Sequence, residues 1–93
     1  MIFRNEFTFG GEVVKKKDFG DNSGGNITIS GISKIGEVKL SVLLSNNLFK
    51  TVCDKDYPKV IVFGHIEQRT HETDTGNIKH SLRYVADDLQ LVS

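Results

Sequence analysis

Apolar side chains recur at every second position over most of the chain, the repeat that turns one face of a β-strand towards a core. Phe7, Phe9, Gly11 and Val13 alternate with Thr8, Gly10 and Glu12, which predicts a first strand over residues 5–17 that can bend at Gly10-Gly11. Residues 18–25 are dense in Asp, Asn, Ser and Gly and read as a loop. Ile27 and Ile29 mark a short second strand reaching towards Ile32, and Ser33 to Gly36 turn the chain. Val38, Leu40, Val42 and Leu44 then give the clearest half-buried strand. Alternation fails at 45–54, where Ser45 or Asn46 can cap a short helix that faces Leu48, Phe49 and Val52 inward. Pro58 ends that segment and is expected to hold Tyr57 in extended backbone. The run Val60-Ile61-Val62-Phe63 predicts a covered fourth strand with Val60, Val62 and Ile66 inward. A polar hairpin from Arg69 to Gly76 follows, then a fifth strand with Ile78, His80, Leu82 and Tyr84 in alternation, and a last apolar set at Leu89, Leu91 and Val92.

Five strands with one short helix between the third and fourth predict an all-β chain, an OB-fold Greek-key barrel. Its 93 residues suffice for a single domain, 1–93. So small a core gains from association, so a homodimer or homotetramer is expected. The lone Cys53 excludes an intrachain disulfide and suits a reducing compartment. No apolar stretch is long enough to span a membrane, and residues 1–12 lack a signal segment, so a cytoplasmic location is expected. Net charge is +0, which excludes a globally basic nucleic-acid binder. Residues 1–50 carry seven basic side chains against five acidic, and residues 51–93 the reverse tilt. Any nucleic-acid surface must therefore be local.

Three segments narrow the class. Gly64-His65-Ile66-Glu67-Gln68-Arg69, Asp74-Thr75-Gly76-Asn77 and Tyr84-Val85-Ala86-Asp87-Asp88-Leu89-Gln90-Leu91 resemble the last third of bacterial single-stranded DNA-binding proteins. Those proteins show a Gly-basic-Leu-x-x-Arg strand, an Asp-Gly-Asn hairpin tip and a Val-Ala-Glu-Asp-Val-x-Phe ending. Phe9-Gly10-Gly11-Glu12-Val13 is loosely similar to their first strand. The resemblance implies an OB barrel that assembles as dimers or tetramers and binds single strands without sequence preference. It departs in having no aromatic residue on strands two and three, and with Ser93 directly after the last strand no acidic tail is expected. In this it is similar to the tail-less relatives, the phage- or plasmid-borne single-strand binders and the primosomal replication OB protein.

Lys15, Lys16 and Lys17 with Phe19 are the first nucleic-acid candidates, the lysines for phosphates and the ring for a base; a solvated charge run explains them about as well. Lys34 and Lys39 fall on or beside the polar face of strands two and three. Arg69, Lys79 and Arg83 flank the last hairpin, where Glu67, Glu72 and Asp74 offset them, so a mixed-charge solvated hairpin is the main alternative. Ile61 and Phe63 are expected to face outward as an oligomer interface. His65, His71, His80 and Cys53 have no metal-ligand spacing, Gly20 to Gly25 lack a phosphate-loop ending, and Asp87-Asp88 read as turn carboxylates, so neither metal, cofactor nor catalysis is expected. The expected function is sequence-independent single-stranded DNA binding in replication or recombination, beside replication proteins. The alternative is an OB module that contacts proteins instead.

Overall fold

The computed structural model describes residues 4–92. Met1–Phe3 and Ser93, the ends on which the leader and tail readings fall, lie outside them. The elements are β1 (Phe7–Asp18), β2 (Gly25–Ser33), β3 (Gly36–Leu44), α1 (Asn46–Lys50), β4 (Lys59–Glu72) and β5 (Ile78–Val92). The strands close into a barrel in the order β1-β2-β3-β5-β4. All neighbours are antiparallel except β3 and β5, which run parallel and meet only at Val42 opposite Tyr84 and Leu43 opposite Val85. A closed five-stranded barrel with one helix between its third and fourth strands is the OB architecture.

The alternation expected from the sequence fills the interior. Val13, Ile27, Ile29, Val42, Val52, Val60 and Val62 are wholly buried, and all seven are β-branched. Such side chains are stiff at χ1 and lose little freedom on a pleated strand, so their burial is obtained at low entropic cost. Helix α1 closes one end. Ser45 caps it by accepting the Leu48 N–H, and Phe49 and Val52 turn into the core as the helical spacing predicts. Gly25 makes room for that plug, since a Cβ there would stand 2.5 Å from the Phe49 ring.

Three expectations are corrected. Strand four does not end near Ile66, and Arg69 and His71 are strand residues: β4 and β5 stay paired to Glu72 opposite Ile78. The turn itself is confined to Thr73–Asn77. Side chains from Gln68 to Glu72 are all exposed, so this arm is held by backbone hydrogen bonds, which leave no hydrophobic alternation to read. Strand five is likewise one element of 15 residues, where two apolar segments were expected. Lys34 lies within the turn expected at Ser33 to Gly36, at a hairpin tip. Tyr57 is not extended; its φ is 47°.

Two irregularities punctuate the ladders. In β1 the register shifts between Val13 and Lys15, leaving Val14 as an extra residue. In β5 Asp87 is the extra residue, opposite the step from Phe63 to Gly64. Gly64 sits at this second bulge with its α-carbon against the Val85 carbonyl oxygen and the Phe7 ring, where no Cβ fits. Replacing Gly64→Ala should lower stability by about 1–3 kcal/mol through overpacking. Urea denaturation reads this directly, and an unchanged midpoint would show that the barrel accommodates the methyl group.

Candidate nucleic-acid interface

Residues opposite one another on paired strands share a face, so the register sorts the lysine run. Val13 lies opposite buried Ile29 and points inward. Strict alternation from Val13 would turn Lys15 and Lys17 inward as well. The extra residue Val14 reverses the phase: Lys15 now faces Thr28, Lys17 faces Asn26, and Lys16 faces buried Ile27. Thr28 and Asn26 in turn lie opposite Ser41 and Leu43, and Ser30 opposite Lys39. Lys15, Lys17 and Lys39 therefore stand on one outer surface of β1, β2 and β3.

Lys16 is brought elsewhere. Its ammonium donates to the carbonyl oxygens of Val52, Cys53 and Lys55 at 3.3, 3.1 and 2.5 Å, ending the turns that follow α1. An ammonium has three protons, and here each has an acceptor. Lys39 keeps more freedom: its ammonium is 3.9 Å from Glu37, while Glu37 is also held by the Ser30 hydroxyl at 2.7 Å. Phe19 is exposed just beyond β1, and its N–H bonds to the Gly24 carbonyl at 3.1 Å, which prolongs the β1–β2 ladder into the loop.

Beside this surface β3 and β5 touch over so few residues that the first half of β3 and the β4–β5 arm diverge. The resulting groove, about 600 Å³, is lined by Asn26, Lys39, Ser41, Leu43, Leu82, Arg83 and the flanking Val38, Leu40 and Tyr84. Ser41 donates to the Asn26 side-chain oxygen at 2.7 Å. Tyr84 is the sole aromatic in the lining, packed edge-on to Phe7 at 5.6 Å. The other apolar side chains of the lining are aliphatic. Arg69, Lys79 and Lys34 are not brought to it: the first two are exposed along the arm and the third sits at the opposite hairpin tip. Ile61 and Phe63 share an outer row with Gly10 and Thr8 of β1, and Phe63 is exposed.

A polar cluster next to the groove was not anticipated. His65 Nδ1 lies 2.9 and 3.0 Å from the two Asp87 carboxylate oxygens, and Nε2 lies 3.0 Å from Glu67. Glu67 also accepts from Arg83 at 2.8 Å. Both ring nitrogens therefore face acceptors, which favours the doubly protonated imidazolium. Hydrogen bonding to Asp87 and then Glu67 raises the His65 pKa above its ordinary 6.5. Hydrogen bonding from His65 and then Arg83 lowers that of Glu67 below 4.5. Sequence spacing could not reveal this cluster, because Asp87 reaches His65 from the β5 bulge. Arg83 is thereby half committed, with one terminal nitrogen on Glu67 and a buried Nε that has no partner among the described residues.

Among the described residues no set of three ligand-type side chains gathers for a metal ion, and no helix is long and apolar enough to cross a membrane. No family model and no curated protein sequence matches this chain. Solved structures do. Two crystal structures of the mitochondrial single-stranded DNA-binding protein Rim1 from S. cerevisiae, one of them selenomethionine-labelled, align with TM-scores of 0.70 and 0.64. Identity is 18% in both, over 99% of this chain and 97% of that one. At this identity the likeness establishes a shared fold.

The histidine cluster carries a pH dependence whose sign is fixed. A raised histidine pKa contributes stability that is complete below 6.5 and lost as pH rises through the folded value. The lowered Glu67 contributes above 4.5 and loses its share as pH falls through its folded value. The thermal midpoint should therefore be higher between pH 4.5 and 6.5 than in alkaline buffer. His65→Gln should flatten the alkaline limb of that profile, as read by circular dichroism melts. An unaltered alkaline limb would assign the dependence to other groups.

Proposed function

We propose that this chain is a non-enzymatic binder of single-stranded DNA that holds the strand without reading its sequence. The observation that carries this reading is the placement of Lys15, Lys17 and Lys39 on one outer surface that runs into the β3–β5 groove. Support comes from the fold, shared over nearly the whole chain with a protein named for binding single-stranded DNA. The lysines neutralise phosphates, Arg83 adds the charge left free by Glu67, and Leu43 and Leu82 offer apolar contact to bases. Phe19 supplies a ring at the loop end of the same surface. Lys34, Arg69 and Lys79 reach only a strand long enough to pass the hairpin tips. Lys16 serves the fold.

The wider setting belongs to the same proposal: replication or recombination in the cytoplasm, in a phage or mobile element, beside replication proteins. Outward Ile61 and exposed Phe63 support a homodimer or homotetramer assembled through β4. A second reading, contact with another protein, is favoured by one observation. Ile32 and Ile35 project from the β2–β3 hairpin almost fully exposed, at 92% and 96%. That much bare aliphatic surface at a tip suits a hydrophobic partner.

Phosphate neutralisation on a single strand gives a log–log salt slope of roughly −0.7 per contact, so three or four contacts predict about −2 to −3 for oligothymidine. Lys15→Glu with Lys17→Glu should reduce the slope by about 1.4 and weaken binding at low salt, as read by fluorescence anisotropy. Lys16→Met should do the opposite: binding kept, with unfolding easier by ~1 kcal/mol through the lost carbonyl contacts. No association at tens of micromolar protein in low salt would sink the DNA reading and leave the protein-contact one.

A further inference from the structure

Tyr57 ends the loop between α1 and β4 in a conformation that tyrosine disfavours. A φ of 47° brings its Cβ into the left-handed region, and the ring of Pro58 crowds the same backbone from the other side. Glycine would hold this position without strain. The surroundings nonetheless fix it, for Pro58 is buried and its carbonyl accepts the Val13 N–H at 2.8 Å. That bond is next to the β1 bulge that turns Lys15 outward. What the strained backbone presents is an aromatic residue left 65% exposed. So little of it is buried that packing does not explain an aromatic residue here.

The ring borders a hollow of about 240 Å³ with Val14, Lys15 and Lys55. Asp56 is the one carboxylate in the lining. The Lys16 ammonium, also at this edge, is occupied by carbonyl oxygens. Lys15 and Lys55 form no ion pair among the described residues. An exposed aromatic face between two uncommitted ammonium groups has the chemistry of a nucleotide: base on the ring, phosphates on the cations. It is also continuous with the surface already described. Lys15 shares its row with Thr28 and Ser41, and Ser41 lines the groove. At about 4.8 Å between strands, the band from Tyr57 across β1 and β2 to β3 spans roughly 15 Å.

We infer that Tyr57 is a base-stacking contact at the β1 edge of the interface, where the strand leaves the groove past Lys15. The inference rests on the single-strand reading, and it locates a stacking platform that β2 and β3 lack. Strain held at an exposed ring is then part of binding, not of folding.

The test separates these roles. Tyr57→Gly relieves the positive φ, so its melting temperature should rise, while its affinity for oligothymidine should fall roughly five- to hundredfold. Tyr57→Phe keeps the ring and should bind within about twofold of the parent. An abasic oligomer of equal length has nothing to stack and should bind the parent and Tyr57→Gly alike. The chain has two tyrosines and no tryptophan, so oligothymidine should quench tyrosine emission more strongly in the parent than in Tyr57→Phe, where Tyr84 of the groove alone reports. Equal oligothymidine affinity for Tyr57→Gly, or a lowered melting temperature, overturns the inference and spares the single-strand reading. If the parent itself binds no oligothymidine, both fall together.

Discussion

A five-stranded sheet can enclose a dry interior only if its two edges meet, and here they meet through the least extensive pairing in the molecule. The parallel contact of β3 with β5 rests on two residue pairs. That contact converts a sheet into a barrel and lets Val42, Val60 and Val62 share one core. Its brevity has an equal consequence on the outside. Because β3 and the β4–β5 arm touch only near Leu43, they part immediately beyond it and leave the groove. Closure and cleft are one geometric fact.

The two bulges act on that frame by rephasing side chains. An extra residue in a ladder exchanges the faces of everything beyond it, so Val14 decides that Lys15 and Lys17 look outward while Lys16 stays behind to hold the turns after α1. Asp87 does the same in β5, where the displaced carboxylate meets His65 across the ladder. In each case one residue carries no core burial of its own and yet sets the chemistry of its surroundings.

A chain of zero net charge has no long-range field to attract a polyanion, so local order must do what total charge does elsewhere. Several basic groups are withdrawn by partners: Lys16 by carbonyls, Arg83 in part by Glu67, Lys39 loosely by Glu37. The freedom of Lys15 and Lys17 is thus worth more than their number suggests. The groove, poor in aromatic side chains, fits the same picture. With no ring on β2 or β3, aromatic surface is displaced to the rims, at Phe19 in the β1–β2 loop and at Tyr57 before β4.

Strand count, helix position and core were legible in the sequence by itself because burial imposes a period, and Ile27, Ile29, Val42 and Val60 keep it. The helix cap at Ser45 and the outward turn of Lys39 were legible for the same local reason. The exposed β4–β5 arm was not, since its backbone pairing leaves no hydrophobic trace from Gln68 to Glu72. Nor could alternation say which lysine of three adjacent ones faces out, because a bulge adds one residue without changing composition. Periodicity records what each strand buries; only the tertiary register decides which side chains from different strands share a surface. The groove, the His65 cluster and the fate of Lys16 were therefore settled by folding.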